Sequence, residues 1–505
     1  MTTAIEQLNA AVYLIAPELI LVVTVCVMFI TGPFFVTESG VATPGLRKRW
    51  TALSLTAIGC AAFVWYTSTR TAPAGAGPFR IDELTFYVRG LTLAAGAVLA
   101  VLFAEQIDDG HAAEGQACLL AILAGVNLTA IANDLVGLFL ALELVSIPTY
   151  VLLYLPRRGA ANQEATAKYM LLSIFSSAIV LYGMSLLYGA SGTTNLAGIM
   201  AARSQHPEAS ATLARVAAAT LVAGLSFRIA AAPFHFYAPD VFQGVSSAAA
   251  AMLSFVPKVV GFVAILRVLP LAGELWPAAD SGDGASIRTL LAALAIVTMA
   301  IGNLLALRQQ HLHRLLAYSS VAHAGYMLVG LAVGPASSPI SGVGALLFYL
   351  AAYGVTTIGI FALLACVAGK GAPLQTQGDL AGLSRVHPAV ALGLAICLFG
   401  LTGLPPTAGF TGKLNLFFAG WSDGTPLGRT LAIVMAINAA IAAWYYLRLI
   451  AVMFLDPPAA EGQPGKLFLG PAVAGAACSA ATVLLFVAPQ PVWNAAARFS
   501  ALASP

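Results

Sequence analysis

Five charged side chains, Glu143, Lys168, Arg228, Lys258 and Lys413, fall inside or at the edge of long apolar runs. Glu143 sits in Leu138-Phe-Leu-Ala-Leu-Glu-Leu-Val-Ser146, and Arg228 in Gly224-Leu-Ser-Phe-Arg-Ile-Ala-Ala-Ala-Pro233. Lys258 follows Pro257, and Lys413 follows Gly403-Leu-Pro-Pro406. A charge at the centre of a bilayer costs about 2.5–3.5 kcal/mol on insertion scales, so it persists only when paired or hydrated. Such a set can move protons. A lysine in a dry site has its charged form destabilised and can release a proton, and a nearby carboxylate holds that proton on. One acid and several bases strung along the membrane plane and linked by water form a relay that electrostatics can switch. His235 and His323 could supply a secondary path.

Structural readings stand beside the functional one. Lys168, a few residues into its run, could snorkel its ammonium to the interface. Glu143 and Arg228 could be a static ion pair. His235 lies beside a helix break and could cap freed carbonyls, and His323 could be a satisfied core histidine. Lys258 and Lys413, placed mid-run beside prolines, fit a purely structural role less well.

The rest of the chain says what must position these groups. Of 505 residues, 59% are hydrophobic and 9% charged, against about 25% charged in a soluble domain. The hydrocarbon of a bilayer is therefore the expected solvent. A net charge of +3 is too small at this length to suggest nucleic acid. Six cysteines (Cys26, Cys60, Cys118, Cys366, Cys397, Cys478) stand singly, with no CxxC pair and no Cys/His cluster of metal-ligand spacing. No glycine-rich nucleotide motif is present either. The chain is expected to work without a redox centre, metal or nucleotide of its own.

Spanning the hydrocarbon takes about 20 apolar residues. Runs of that kind lie near 10–32, 51–67, 84–104, 115–132, 134–155, 165–190, 211–240, 245–270, 286–308, 315–335, 341–369, 387–420, 428–454 and 466–488. They predict an all-α polytopic protein with about 14 transmembrane helices. The first run lacks a basic leader and a cleavage site, so it reads as a helix and not as a cleaved signal. The seventh run is interrupted at Ala232-Pro-Phe-His235 and the twelfth at Gly403-Leu-Pro-Pro406. Proline removes a helix hydrogen bond, so both helices should break mid-membrane. Broken helices at matching places in two halves signal inverted repeats. The expected layout is one membrane domain: N-terminal helices over 1–110, repeats over 115–270 and 286–454, and a last helix over 466–488. The stretch near 33–50 and the tail after Pro489 read as connectors.

Loop charge gives an orientation. With both termini outside, the cytoplasmic connections hold Arg47-Lys48-Arg49, Arg157-Arg158, Arg308 with Arg314, Lys370 with Arg385, and Lys466. An outward connection holds Glu274, Asp280 and Asp283. The acidic loop of Glu105, Asp108, Asp109 and Glu114 dissents, being assigned to the cytoplasmic side.

Four motifs now resemble a known family. Leu142-Glu-Leu-Val-Ser-Ile-Pro-Thr-Tyr150 is similar to the fifth-helix signature of the antiporter-like membrane subunits of respiratory complex I. Pro233-Phe-His-Phe-Tyr-Ala-Pro-Asp-Val-Phe-Gln-Gly244 resembles the broken seventh helix of their N-type members. Arg314 to Tyr326 is similar to the tenth-helix motif, and Pro405-Pro-Thr-Ala-Gly-Phe-Thr-Gly-Lys413 to the twelfth-helix break. The resemblance implies 14 helices with two inverted five-helix repeats. It further implies a subunit of a proton-translocating NADH:quinone oxidoreductase in the bacterial cell (inner) membrane. By the same resemblance, Glu143 is the fifth-helix carboxylate and Lys168 the sixth-helix lysine. Lys258 is then the central lysine of helix eight, and Lys413 the outlet-side lysine of helix twelve. FMN and iron–sulfur clusters would reside in partner subunits, quinone would be the substrate of the whole complex, and the partners would be neighbouring membrane subunits. One position departs from the pattern: Arg228 stands where lysine is usual. Arginine does not deprotonate in proteins, so the expectation is a fixed counter-charge for Glu143, with proton storage left to Lys168 and Lys258. Related readings within the same fold are a multi-subunit cation/proton antiporter and a membrane-bound hydrogenase.

Overall fold

In lipid every backbone amide and carbonyl must be satisfied within the protein, which leaves helices as the form open to long apolar runs. The computed structural model describes residues 12–36, 43–68, 77–156, 159–205, 211–272, 284–335, 340–368, 374–458 and 467–502, and its regular elements are all helical. In chain order they begin with α1 (Ala16–Thr31), α2 (Leu46–Thr67), α3 (Glu83–Ala104), α4 (Ala112–Ile131), α5 (Leu135–Tyr154) and α6 (Ala160–Ser191). Next come α7 (Leu196–Gln205), α8 (Ala211–Arg228), α9 (Ala238–Gly244), α10 (Ser247–Val268), α11 (Gly284–Leu307), α12 (Leu312–Val333) and α13 (Gly342–Ala368). The last are α14 (Leu383–Val386), α15 (Pro388–Thr402), α16 (Ala408–Ser422), α17 (Pro426–Leu455), α18 (Leu469–Val487) and α19 (Gln490–Leu502).

Twelve of the described helices are long and apolar enough to cross a membrane, where the sequence suggested about 14. The difference comes from the two breaks. The seventh run stops as a helix at Arg228 and resumes only at Ala238, and the twelfth is cut into α15 and α16, each of 15 residues. Two expected connectors are also helical. Arg47, Lys48 and Arg49 belong to the first turn of α2, and the segment after Pro489 forms α19. A basic first turn opposes the helix dipole. The carboxylate of Asp109 compensates, accepting hydrogen bonds from the amides of Gly45 at 3.3 Å and Arg47 at 2.7 Å. Glu105 pairs with Arg47 at 3.7 Å. The acidic loop that ran against the charge bias is thus the partner of a basic one. Arg157, Arg158, Glu274, Asp280, Asp283, Lys370 and Lys466, used for orientation, lie outside the described residues.

The chain forms two compact units. The first comprises Met1–Ala160, Met170–Leu225 and Val259–Gly273. Within it α4 is almost wholly buried, packed by α1, α2, α3 and α5. Two buried ion pairs tie this unit together. Arg89 of α3 binds both carboxylate oxygens of Glu18 in α1, at 2.7 and 2.8 Å, and also the Leu14 carbonyl. Arg267 grips Asp82 at 2.6 and 2.8 Å and donates to the Ala130 carbonyl at the end of α4. Burial pushes the Asp82 carboxyl up, yet Arg267, the Thr85 amide and Arg80 together hold it below the ordinary carboxylate value.

The second unit comprises Ala161–Tyr169, Ser226–Lys258 and Glu274–Pro505. Its centre is α12 and α13, both almost wholly buried, surrounded by α11, α16 and α17 and by α18 and α19. The amphipathic α19 packs on α13, with Trp493 edge-on to Phe348 and the ring centroids 5.9 Å apart.

Candidate functional site

In the first unit, Glu143 is half-buried on α5 and accepts a hydrogen bond from the Ser177 hydroxyl of α6 at 2.5 Å. Just beyond it Pro148 interrupts the α5 ladder, and Ser146 and Thr149 turn their hydroxyls back onto the carbonyls of Leu142 and Val145.

The other expected residues lie in the second unit, and several of them form one buried row. Lys258, 2% exposed, donates to the Ser254 carbonyl at 3.2 Å and to the Ser320 hydroxyl of α12. That hydroxyl also accepts from Tyr353 of α13 at 2.9 Å, and the Lys258 ammonium stands 5.5 Å from the Tyr353 ring centre. His323 is fully buried, with its ring 5.1 Å from that of Tyr353. Nδ1 of His323 meets the Tyr349 hydroxyl at 2.5 Å, and Nε2 meets the Tyr446 hydroxyl of α17 at 2.9 Å. Tyr446 in turn bonds Ser319. Tyr326 packs edge-on to His323 and receives a hydrogen bond from Asn303, which also bonds Asn438 and Tyr445. At the far end Lys413, 7% exposed, lies 5.0 Å from the Tyr326 ring centre. The expected reading of His323 as a satisfied core histidine is met in its hydrogen bonds, and those same bonds make it a bridge.

The breaks explain why the cations sit where they do. A helix end leaves its last carbonyls without amide partners and carries partial negative charge. At the second break α15 ends at Gly403, whose φ of +85° falls in the left-handed region that glycine tolerates. The Lys413 ammonium takes up two of the carbonyls so freed, Leu401 at 2.7 Å and Thr402 at 3.0 Å. It can reach them because α16 folds back against α15: a Cβ on Gly409 would stand 1.8 Å from the Gly400 carbonyl oxygen. At the first break the buried Arg228 is the last residue of α8, again at a carbonyl-bearing end. There the Ala232 amide donates to the Thr298 hydroxyl at 3.0 Å, and Tyr237 caps the Phe227 carbonyl at 3.0 Å. His235 lies half-buried in the turn that follows.

Lys168 stands apart from the buried row. Its side chain is 42% exposed, paired with Glu164 at 2.7 Å and Asp240 at 3.0 Å. The serines and tyrosines of the row were not expected from the sequence. Tyrosine in an apolar run reads as packing, although Ser319, His323 and Tyr326, at i, i+4 and i+7, share one face of α12 and could have pointed to it. Among the described residues no group of three or more His, Cys, Asp or Glu side chains is placed to hold a metal ion.

A helical membrane body with two mid-helix breaks and a buried run of lysines, a histidine and hydroxyls defines a class, the membrane subunits of proton pumps and antiporters. The chain belongs to the NADH:quinone oxidoreductase/Mrp antiporter transmembrane family, which it matches over residues 132–438. It is 39% identical over 450 residues to NADH-quinone oxidoreductase subunit N of Trichlorobacter lovleyi, covering 88% of this chain and 87% of that one. Its fold is like that of a chain of respiratory complex I from Thermus thermophilus with bound aureothin, at a TM-score of 0.77 and 28% identity, covering 95% of this chain and 99% of the other. A chain of the Mrp complex from Dietzia sp. has a TM-score of 0.79 at 22% identity, covering 96% and 97%, a likeness of fold alone.

Proposed function

We propose that this chain is an N-type subunit of a bacterial NADH:quinone oxidoreductase, in which it translocates protons along the buried row from Lys258 through His323 to Lys413. The observation behind this reading is that Lys258, His323 and Lys413 lie buried in one row of the second unit, each hydrogen-bonded to neutral oxygens or hydroxyls and separated from the next by tyrosine rings, gaps that water would have to bridge. Each lysine is held by neutral oxygens, with no carboxylate among the partners, and these can accept from an amine as well as from an ammonium, though more weakly, so no counter-ion pins its proton. His323 has a hydroxyl on each ring nitrogen, and every such hydroxyl both donates and accepts. A proton arriving at one nitrogen can therefore be matched by one leaving the other. Glu143, in the first unit, is the proposed carboxylate of the relay and Arg228 a permanent positive charge, with His235 a secondary group at the first break. Moving one proton against 100 mV takes about 2.3 kcal/mol, the size of one ion-pair rearrangement.

Electrons would pass through FMN and iron–sulfur clusters in partner subunits to quinone, and neighbouring membrane subunits would transmit the drive. The domain is read as two inverted repeats, 115–270 and 286–454, preceded by three helices, in the inner membrane with both termini outside. The order of helices supports the repeats: α4, α5, α6, a broken helix and α10 are matched by α11, α12, α13, a broken helix and α17.

The test is proton pumping by the assembled complex in vesicles supplied with NADH and quinone. Lys258→Ala and Lys413→Ala are each expected to lower pumping by about tenfold or more, the scale of losing a positioned proton-transfer group. NADH oxidation by an artificial acceptor should persist. Normal pumping in both variants rejects the relay.

A further inference from the structure

The segment Pro239-Asp240-Val-Phe-Gln-Gly244 has no part in the buried row, yet it forms the resumed half of the broken helix, α9. A helix of seven residues is too short to hold itself together. Its neighbours in the second unit hold it instead. One oxygen of Asp240 accepts from Lys168 of α6 at 3.0 Å, and the other from Arg314 of α12 at 2.6 Å. Arg314 also donates to Gln243 at 3.0 Å, and Asn162 of α6 to the Gly244 carbonyl at 3.3 Å. Gly244 lies so close to α6 that a Cβ there would come within 2.5 Å of Ala165.

We propose that Lys168, Asp240 and Arg314 form a latch that fixes α9 between α6 and α12, so that Lys168 is a positioning residue and not a proton store. The inference rests on the relay reading for what the latch serves, but its geometry is independent of it. Asp240 is 40% exposed and Lys168 42% exposed, so each pair alone contributes little. What one carboxylate bridging two cations supplies is geometry: it sets the distance between α6 and α12 across α9. Glu164, 2.7 Å from the same ammonium, gives Lys168 a second anion to hold if Asp240 lets go. A latch needs the charge of Lys168 and not its titration, whereas a store needs a proton that can leave.

Arginine separates these roles, since it keeps the charge and does not deprotonate. In the assembled complex, Lys168→Arg is expected to retain pumping within about twofold, as a charge-conserving exchange at an exposed pair should. Asp240→Asn, which removes both pairs, should lower pumping and speed hydrogen exchange at the amides of 240–245 by about tenfold, and Lys168→Gln, which removes one, by about threefold, the signature of a locally opened segment. Where Asp240→Asn does not assemble, Arg314→Gln provides the same exchange measurement from the other arm. Loss of pumping in Lys168→Arg with exchange unchanged would overturn the latch and return Lys168 to the relay. Unchanged exchange in Asp240→Asn, or in Arg314→Gln where that variant replaces it, would overturn it as well. Failure of the relay itself is read separately, in the Lys258 and Lys413 variants.

Discussion

At the scale of single residues, the two breaks each bring a cation to the end of a helix, but only one of those cations can lose its charge. Arg228 closes α8 and Lys413 binds the last carbonyls of α15. For Arg228 the reading as a fixed charge expects Arg228→Lys to keep coupling within about threefold, because a lysine there preserves the sign that matters. Arg228→Leu should lose most of it. Proton pumping per NADH oxidised measures both, and a large fall in Arg228→Lys would show that the guanidinium itself is needed. The lysines and the acid were legible from the sequence because charge is conspicuous in an apolar run. Their hydroxyl partners were not. Tyr349 and Tyr353 on α13, and Tyr446 on α17, become neighbours of His323 only once three helices pack. Lys168 shows the converse: its spacing suggested an interfacial side chain, but the Asp240 carboxylate that meets it is 72 residues away in sequence.

At the scale of elements, hydropathy located the spans and proline located the breaks, since both are local properties of the chain. The helical turns at Arg47–Arg49 and after Pro489 escaped that reading because they depend on remote groups: the carboxylate of Asp109 in one case and the flank of α13 in the other. The ion pair at the start of α3 gives a prediction at this scale. Asp82→Asn would leave Arg267 buried without its anion, a change that costs about 3–5 kcal/mol. Thermal unfolding of the detergent-solubilised complex should show it as a lowered midpoint. Because the Asp82 carboxyl is held below its ordinary value of 3.8, the contribution of the wild-type pair is complete above that pH. It fades as pH falls through the lower, folded-state value. The variant should therefore lose less stability on acidification than the wild type, and an equal acid response in both would contradict this account.

For the whole molecule, the chain is a helical membrane body in which the buried lysines and histidine of the second unit stand among hydroxyls and carbonyls. The terminal helix α19 bears on this in a way its amphipathic sequence does not announce. Its Trp493 rests against Phe348, and the next residue along α13 is Tyr349, the hydroxyl partner of His323. The helix α19 therefore packs on the same helix that carries the hydroxyl partner of the histidine. Cutting the chain after Pro489 is expected to remove that packing and weaken proton pumping by about tenfold, as a small misplacement of a positioned group can, with the complex still assembled on a native gel. Full pumping by the shortened chain would show the packing to be dispensable. By the same reasoning, a reporter domain spliced directly onto α18 would disturb the histidine's surroundings, whereas one joined beyond α19 leaves them alone.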